Sequence, residues 1–214
     1  MTPSTSSTTR ALVLLSGGID SITLAEYAMS RGELAAVMFF EYGQPAVDAE
    51  RWYATKWAVE ARAKNRPHRS APGLPYQTRN IELGSLVAML QEPGAEGPRV
   101  VPLRNACLIL LAAQWAASTP INEIWIGATA SDAKAYKDCR AEYLDYLSVL
   151  TSWDGVKVRA PFIDLEKNEV IALARYLGVR LNQTFSCYCP VPKTVRESDA
   201  PTKHARGGLA CQKC

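Results

Sequence analysis

The chain has 214 residues, of which 48% are hydrophobic and 21% are charged, and this composition predicts one globular domain with a sizeable core. The net charge of +3 and the lack of a basic run interleaved with aromatics exclude an evident nucleic-acid surface. No apolar run reaches the roughly 18 residues that span a bilayer, and residues 1–9 are polar without the apolar region of a signal peptide. We therefore expect a cytoplasmic protein with a disordered tail at 1–9, no membrane contact and a small-molecule substrate.

Apolar runs of strand length alternate with helical patterns along the chain. The predicted strands cover residues 11–15, 34–40, a less clear stretch near 78–83, 123–127 and 156–160, and the predicted helices cover 20–31, 48–64, 104–117 and 166–177. This alternation is typical of an α/β fold in which a Rossmann-like parallel sheet carries helices on both faces. Residues 183–214 have little apolar periodicity and are predicted to be irregular.

A glycine-rich motif, Ser16-Gly17-Gly18-Ile19-Asp20-Ser21, joins the first predicted strand to the first predicted helix. Adjacent glycines let the backbone approach a ligand closely, and the unpaired N–H groups of a first helical turn favour phosphate. No lysine follows the glycine pair as it does in the common P-loop, so the motif indicates a different nucleotide chemistry. The alternative is an ordinary strand-to-helix turn in which Asp20 is only a cap.

Polar segments follow three of the predicted strands. They are Ser16–Ser21 after the first strand, Glu41–Gln44 after the second, and Ser131–Asp132 with Tyr136–Arg140 after the strand at 123–127. Ligands of open α/β sheets bind at the carboxyl ends of the strands. We therefore expect these segments to face one cleft.

Four of the six cysteines, Cys187, Cys189, Cys211 and Cys214, lie near the C-terminus. In a cytosolic chain this distribution indicates metal ligands rather than disulfides. The two-residue gap between Cys211 and Cys214 lets both thiolates reach one tetrahedral zinc ion, and a segment with so little apolar content needs a staple to fold. The alternative is a loose tail of reduced cysteines without metal.

Five separated motifs extend this pattern across nearly the entire chain. They are Leu15–Ser21, Glu41–Gln44, Val101–Asn105, Tyr136–Arg140, and Ala160-Pro161 with Lys167 and Glu169, and Thr184–Tyr188 then opens the metal segment. In this order the motifs resemble the QueC-type 7-cyano-7-deazaguanine synthase family of the ATP pyrophosphatase (PP-loop) superfamily. The resemblance implies a nucleotide-binding domain at 10–182 and a small zinc-stapled segment at 183–214.

The activity implied by the resemblance is that of an ATP-dependent, AMP-forming C–N ligase. Such an enzyme adenylates the carboxylate of 7-carboxy-7-deazaguanine, lets ammonia displace AMP, and dehydrates the amide to a nitrile. The implied cofactors are ATP, Mg²⁺ and Zn²⁺, and the resemblance alone suggests a homodimer. Adenylation creates a good leaving group, and stabilising the departing pyrophosphate is mainly electrostatic work.

The resemblance also implies roles for individual residues. The catalytic residues would be Asp20, Arg104, Asp138 and Lys167. The ATP-binding residues would be Ser16, Gly17, Gly18, Asp20, Ser21, Phe39, Gly127 and Lys167. The substrate-binding residues would be Tyr42, Gln44, Arg104, Asn105, Asp132, Tyr136, Asp138 and Arg140.

These roles agree with the chemistry of the side chains. A guanidinium fork binds phosphate or carboxylate in a bidentate way, which suits Arg104. An aspartate such as Asp132 or Asp138 can accept from the N–H edge of a guanine-like base. Each role has a structural alternative: Arg104 and Lys167 only start their helices, the two aspartates cap turns, and Tyr42 packs on the sheet.

The metal segment departs from the family pattern. Cys187 supplies the third zinc ligand by family position, but the family usually has a cysteine where this chain has Gly208. Cys189 is the predicted substitute because a thiolate is the softer ligand, and His204 is the alternative fourth ligand.

Further departures predict a divergent member of the family. Pro45–Asp48 replaces a basic, histidine-containing stretch, and the matching glutamate is Glu50, displaced by one position. The metal segment carries the insertion Pro190–Gly207, and the sequence ends at Cys214, without the helix that usually follows. An alternative that these departures leave open is an enzyme that transfers the adenylated acid to another amine, on nucleic acid or protein. Such an enzyme would belong to a phage or an anti-phage defence pathway. A tRNA-thiolating enzyme that uses Cys139 and a non-catalytic nucleotide-binding zinc protein are also compatible with the sequence.

Overall fold

The computed structural model describes residues 9–64, 75–80 and 101–186. The strands of this part are β1 (Ala11–Leu14), β2 (Leu34–Glu41), β3 (Tyr76–Asn80), β4 (Glu123–Trp125) and β5 (Lys157–Arg159). Its α-helices are α1 (Ile19–Ser30), α2 (Val47–Lys64), α3 (Arg104–Ala116), α4 (Ala130–Ala135), α5 (Ala141–Ser152) and α6 (Lys167–Tyr176). Short 3₁₀ turns cover Lys137–Cys139 and Leu181–Gln183. None of the helices in these ranges is long and apolar enough to cross a membrane.

The five strands form one parallel sheet in the order β3-β2-β1-β4-β5. Strand β1 lies at the centre, where Leu12 pairs with Ala36 on one side and with Ile124 on the other. Because all strands are parallel, their carboxyl ends meet at one edge of the sheet. The chain leaves β1 toward β2 on one side and the sheet grows from β4 on the other, so the loop after β1 lies at the topological switch point.

Both faces of the sheet are covered, as predicted. Successive side chains of a strand point to opposite faces. Val13 packs with Leu24 and Ala58 on the side of α1 and α2, while Leu12 packs with Ile109 and Leu147 on the side of α3 and α5. Full burial of a Val, Leu or Ile side chain such as those of Val13 and Leu12 stabilises the fold by about 1.5–3 kcal/mol. This two-sided burial explains why β1 is a continuous apolar run.

Helices α4 and α5 were not among the predicted elements. Helix α4 begins with a capping box between Thr129 and Asp132. In α5 the residues Leu144 and Leu147 are buried, but Tyr146 and Leu150 are exposed on the outer face. Apolar residues therefore surround α5, and the one-sided pattern that predicts a helix is blurred.

The remaining predicted elements differ from the observed ones only at their ends. The predicted third strand near 78–83 overlaps β3, and residues 81–83 lie outside the described part of the chain. The predicted strand at 123–127 ends earlier, at Trp125. Helix α6 ends as predicted before Gly178, which adopts a φ of +76° that favours glycine.

Candidate active site

A cleft of about 220 Å³ opens at the carboxyl ends of β1, β2 and β4. The predicted site residues that line it are Ser16, Asp20, Ser21, Phe39, Tyr42, Gln44, Arg104, Asn105, Gly127, Asp132 and Tyr136. Glu50 and Cys139 also line it, and neither is in the predicted set. The cleft therefore lies where the sheet topology predicts a ligand, and it gathers polar segments from distant parts of the chain.

The glycine-rich loop after β1 is held tightly from two sides. Gly17 has a φ of +80°, and a Cβ at this position would lie 2.5 Å from the carbonyl oxygen of Glu50. The carbonyl of Gly17 accepts a hydrogen bond from the backbone N–H of Phe185 at 2.9 Å. Only glycine fits the close approach of this loop to α2, which explains the first glycine of the motif.

Two serine hydroxyls shape the same loop. The Oγ of Ser21 donates to the carbonyl of Gly18 at 3.0 Å and accepts from the N–H of Ser16 at 3.1 Å. The two Oγ atoms of Ser16 and Ser21 lie 3.1 Å apart. Ser21, in the first turn of α1, therefore ties the glycine-rich loop to the start of this helix.

Asp20 and Lys167 form an ion pair beside the loop, with 2.5 Å between Oδ2 and Nζ. The other carboxylate oxygen, Oδ1, is buried and accepts no hydrogen bond from the residues that the structure describes. Burial raises the pKa of Asp20, Lys167 opposes this rise, and the charge of Asp132 adds to it. A buried carboxylate oxygen that has no partner among the described residues fits a divalent cation, since Mg²⁺ prefers oxygen ligands.

Arg104 lines the cleft beside Tyr42. Its guanidinium carbon lies 5.9 Å from the centroid of the Tyr42 ring, in a cation–π arrangement. Burial raises the pKa of Tyr42, and the charge of Arg104 opposes the rise. Leu103, just before Arg104, has a φ of 58°, a left-handed conformation that costs about 1–2 kcal/mol outside glycine. Such strain is common at functional sites, and here it starts the helix that carries Arg104.

The amide of Gln44 holds the turn that follows β2. Its Nε2 donates to the carbonyl of Phe40 at 2.9 Å and to Oε2 of Glu50 at 3.0 Å, and its Oε1 accepts from the N–H of Tyr42 at 2.8 Å. Burial raises the pKa of Glu50, and the hydrogen bond from Gln44 opposes this rise. The sequence could have indicated Glu50, because the family has a glutamate near this position. In this chain the glutamate is displaced by one residue, which made the match less evident.

Asn105 and Asp132 line the cleft and also hold its walls together. The Nδ2 of Asn105 donates to the carbonyl of Asp138 at 3.3 Å and to Sγ of Cys139 at 3.5 Å. Oδ2 of Asp132 accepts from the N–H and the Oγ1 of Thr129, at 3.0 and 2.7 Å. The capping role that the sequence left open for Asp132 is therefore present.

Two predicted substrate contacts are not brought to the cleft, and one of them, Asp138, was also predicted to be catalytic. Arg140 is exposed, and its Nε donates to the carbonyl of Ala133 at 3.3 Å. Asp138 precedes it in a 3₁₀ turn and does not line the cleft. The turn directs its neighbours Tyr136 and Cys139 to the cleft instead.

Cys139 is a poor nucleophile at this position. Burial raises the pKa of its thiol to about 12, and nearby Asp138 adds to the rise. The reactive form of a cysteine is the thiolate. The environment of Cys139 therefore does not support tRNA thiolation, which needs a reactive thiol near the cleft.

The predicted zinc ligands Cys187, Cys189, Cys211 and Cys214, and the alternative ligand His204, lie outside the described residues. Within the described ranges no group of three or more His, Cys, Asp or Glu side chains is placed to hold a metal ion. The start of the C-terminal segment contacts the glycine-rich loop and α2. Ser186 Oγ accepts from the N–H of Ile19 at 3.3 Å, and the Phe185 ring stacks on Tyr53 of α2 with centroids 6.0 Å apart.

The family model "Queuosine biosynthesis protein QueC" matches residues 10–214. The chain belongs to the QueC family. The 7-cyano-7-deazaguanine synthase of Desulfatibacillum aliphaticivorans is 29% identical to it, over 96% of this chain and 87% of that protein. The 7-cyano-7-deazaguanine synthase of Picrophilus torridus is 33% identical, over 93% of this chain and 87% of that protein.

These identities confirm the family prediction and fit a divergent QueC member. Among solved structures, NMN synthetase from Francisella tularensis superposes with a TM-score of 0.54 at 17% identity, covering 83% of this chain and 65% of that one. At this identity the likeness shows the fold alone. The QueC chain thus has a Rossmann-like α/β fold.

Proposed function

We propose that this chain is an ATP-dependent, AMP-forming ligase that converts 7-carboxy-7-deazaguanine and ammonia to 7-cyano-7-deazaguanine. Membership of the QueC family and the names of its relatives support the reaction. The observation that carries the proposal is that Asp20 and Arg104 line one cleft at the end of β1, with Lys167 paired to Asp20. We assign the end of the cleft beside the glycine-rich loop to the phosphates, and the end with Arg104 and Tyr42 to the acid substrate.

At the phosphate end the chain would stabilise the pyrophosphate that leaves ATP. The backbone N–H groups of Gly17 and Gly18 and the positive end of α1 favour negative charge. Lys167 adds a cation whose position is held by Asp20. Oδ1 of Asp20 would hold Mg²⁺, which supplies neutralisation of phosphate charge when bound. This electrostatic stabilisation is the main contribution expected of the loop.

At the other end the chain would orient the acid substrate. Arg104 would bind carboxylate or phosphate oxygens in a bidentate way, and Tyr42 and Tyr136 would contact the flat base.

Phe39 and Gly127 would face the nucleotide, and a Cβ at Gly127 would lie 3.2 Å from the backbone nitrogen of Ser21. A glycine there lets the end of β4 approach the start of α1 closely.

We further propose a structural zinc ion held by Cys187, Cys189, Cys211 and Cys214, with His204 as the alternative fourth ligand. Thiolates are the soft donors that zinc takes in four-coordinate structural sites. We expect one zinc per chain in the purified protein by elemental analysis. Cys211→Ser should lower the zinc content and the thermal stability, whereas His204→Ala should leave both unchanged if Cys189 is the fourth ligand.

The activity is tested by incubating the protein with ATP, Mg²⁺, 7-carboxy-7-deazaguanine and ammonium, and following AMP and the deazapurine by mass spectrometry. The nitrile together with AMP is the expected result. AMP with only the adenylate or the amide would show that the reaction ends before the nitrile. No AMP in the presence of the acid would contradict the proposed function.

A further inference from the structure

Glu50 is a carboxylate of the cleft that has no role in the reaction as described above. Its side chain lines the cleft with Tyr42 and Arg104. Oε2 accepts a hydrogen bond from Gln44 at 3.0 Å. Oε1 accepts none from the residues that the structure describes, and it is not among the buried atoms that lack a partner. One carboxylate oxygen is therefore accessible to a molecule in the cleft.

The carboxylate is held in place before any ligand binds. The Gln44 amide that orients it is fixed in turn by Phe40 and Tyr42. The backbone of Glu50 packs against the glycine-rich loop, where its carbonyl leaves no space for a side chain at Gly17. A group held by a rigid surrounding loses little freedom on binding, so it discriminates well between ligands.

The other acids that line the described cleft have partners elsewhere. Asp20 pairs with Lys167 at the phosphate end. Asp132 uses Oδ2 to accept two hydrogen bonds from Thr129. Of these three acids, Glu50 is the one that interacts electrostatically with both Tyr42 and Arg104, so it is the acid beside them in the cleft.

The chemistry of a carboxylate matches one kind of base edge. A guanine-type base presents N1–H and the 2-amino group as adjacent donors. Oε1 of Glu50 can accept from one of them, and Oε2, which keeps a second lone pair beside its bond from Gln44, can accept from the other. An adenine-type base presents a donor beside an acceptor, and that acceptor would repel the carboxylate. A hypoxanthine-type base keeps N1–H but lacks the 2-amino donor. The burial that raises the pKa of Glu50 is offset in part by Gln44 and by the charge of Arg104.

We propose that Glu50 recognises the N1–H and 2-amino donors of the deazaguanine acid and thereby selects guanine-type substrates. This inference rests on the proposed function for the identity of the substrate. Glu50 contacts the base directly, and Gln44 is a positioning residue that acts through Glu50.

The test compares 7-carboxy-7-deazaguanine with its analogue that lacks the 2-amino group. Binding of each acid is measured by calorimetry without ATP, and AMP formation is measured separately. Wild-type protein should bind the analogue about 10–100-fold more weakly, the usual effect of leaving a buried acceptor unpaired. Glu50→Gln should weaken binding of the parent acid by a similar factor and reduce the discrimination to about threefold or less, with the KM for ATP unchanged.

Two further variants control for folding and charge. Asp48→Asn removes one negative charge from the same helix, and Asp48 is exposed and pairs with Arg51 outside the cleft lining. It should behave as wild type in both assays. Glu50→Asp keeps the charge on a shorter side chain and should show intermediate discrimination. If Glu50→Gln does not fold, this variant decides the question.

The outcomes separate the inference from the proposed function. If both Glu50 variants still distinguish the parent acid from the analogue as well as wild type does, Glu50 only supports the turn. If the variants lose affinity for ATP but not for the acid, the adenine of ATP lies beside Glu50. Either result overturns the inference. If the acid binds with Glu50-dependent discrimination but no AMP forms, the inference stands and the proposed function fails. Failure of the acid to bind at all would overturn both.

Discussion

The Nζ of Lys167 lies 2.5 Å from Oδ2 of Asp20, although the two residues are 147 positions apart. Asp20 belongs to the first turn of α1 and Lys167 is the first residue of α6. The positive ends of two helices and a lysine therefore converge on one carboxylate. This arrangement concentrates positive charge beside the loop that we propose to hold pyrophosphate.

Lys167→Met should lower kcat/KM for AMP formation by about 100-fold, a typical loss for one electrostatic contact to a transition state. Lys167→Arg should restore part of the activity, since it keeps the charge. Lys134→Met is the matched control: it removes an exposed lysine that pairs with Glu166. Equal activity of the Lys167→Met and Lys134→Met variants would contradict a phosphate role for Lys167.

Asp20→Asn should raise the Mg²⁺ concentration for half-maximal activity by about 10-fold, because a cation ligand loses its charge. The measurement is AMP formation against Mg²⁺ at saturating ATP. An unchanged Mg²⁺ requirement would mean that Asp20 only holds Lys167.

The same variant should be more stable than wild type at pH 7. Because burial raises the folded-state pKa of Asp20, the folded protein binds this proton more tightly than the unfolded chain, so ionisation at neutral pH costs stability. The advantage of Asp20→Asn should shrink as the pH falls toward the unfolded pKa of about 4. Urea unfolding of both proteins between pH 7 and pH 4 measures the difference, and an advantage that grows on acidification would contradict the sign.

Gly17→Ala should destabilise the protein more than Gly32→Ala. Both glycines have a positive φ, but a Cβ at Gly17 would lie 2.5 Å from a backbone oxygen, whereas one at Gly32 has nothing within 4 Å. Both variants should lose about 1–2 kcal/mol from the backbone conformation, and Gly17→Ala should lose a further 1–3 kcal/mol or so from the clash. Equal free energies of unfolding in urea would contradict the tight packing of the loop against α2.

Cys139→Ala should flatten the loss of stability at high pH. The folded-state pKa of this thiol is raised from 9.0 to about 12. Above pH 9 the unfolded chain loses the proton while the folded protein keeps it, so the stability of wild type falls as the pH rises. The difference between variant and wild type in unfolding free energy, measured from pH 8 to pH 10.5, isolates this group. A difference independent of pH would contradict the raised pKa.

Local patterns determined much of the fold and of the site. The predicted strand at 11–15 and the predicted helix at 104–117 correspond to β1 and α3, with one residue of difference at the C-terminal end. Strand and helix periods are properties of neighbouring residues, so they can be read from the sequence. The glycine pair after β1 is also a local signal, and the parallel order of strands then implies that the polar segments share one edge.

Contacts between distant segments were decided only by the tertiary structure. Asp132 lines the cleft, and the structure adds that its Oδ2 caps α4, whereas Arg140 does not line the cleft and donates to Ala133 instead. Glu50 entered the cleft because α2 packs against the glycine-rich loop. The pairing of Asp20 with Lys167 depends on how α1 and α6 cover one face of the sheet. A sequence states which groups exist, but the burial and partner that set the chemistry of each group come from packing between segments far apart in the chain.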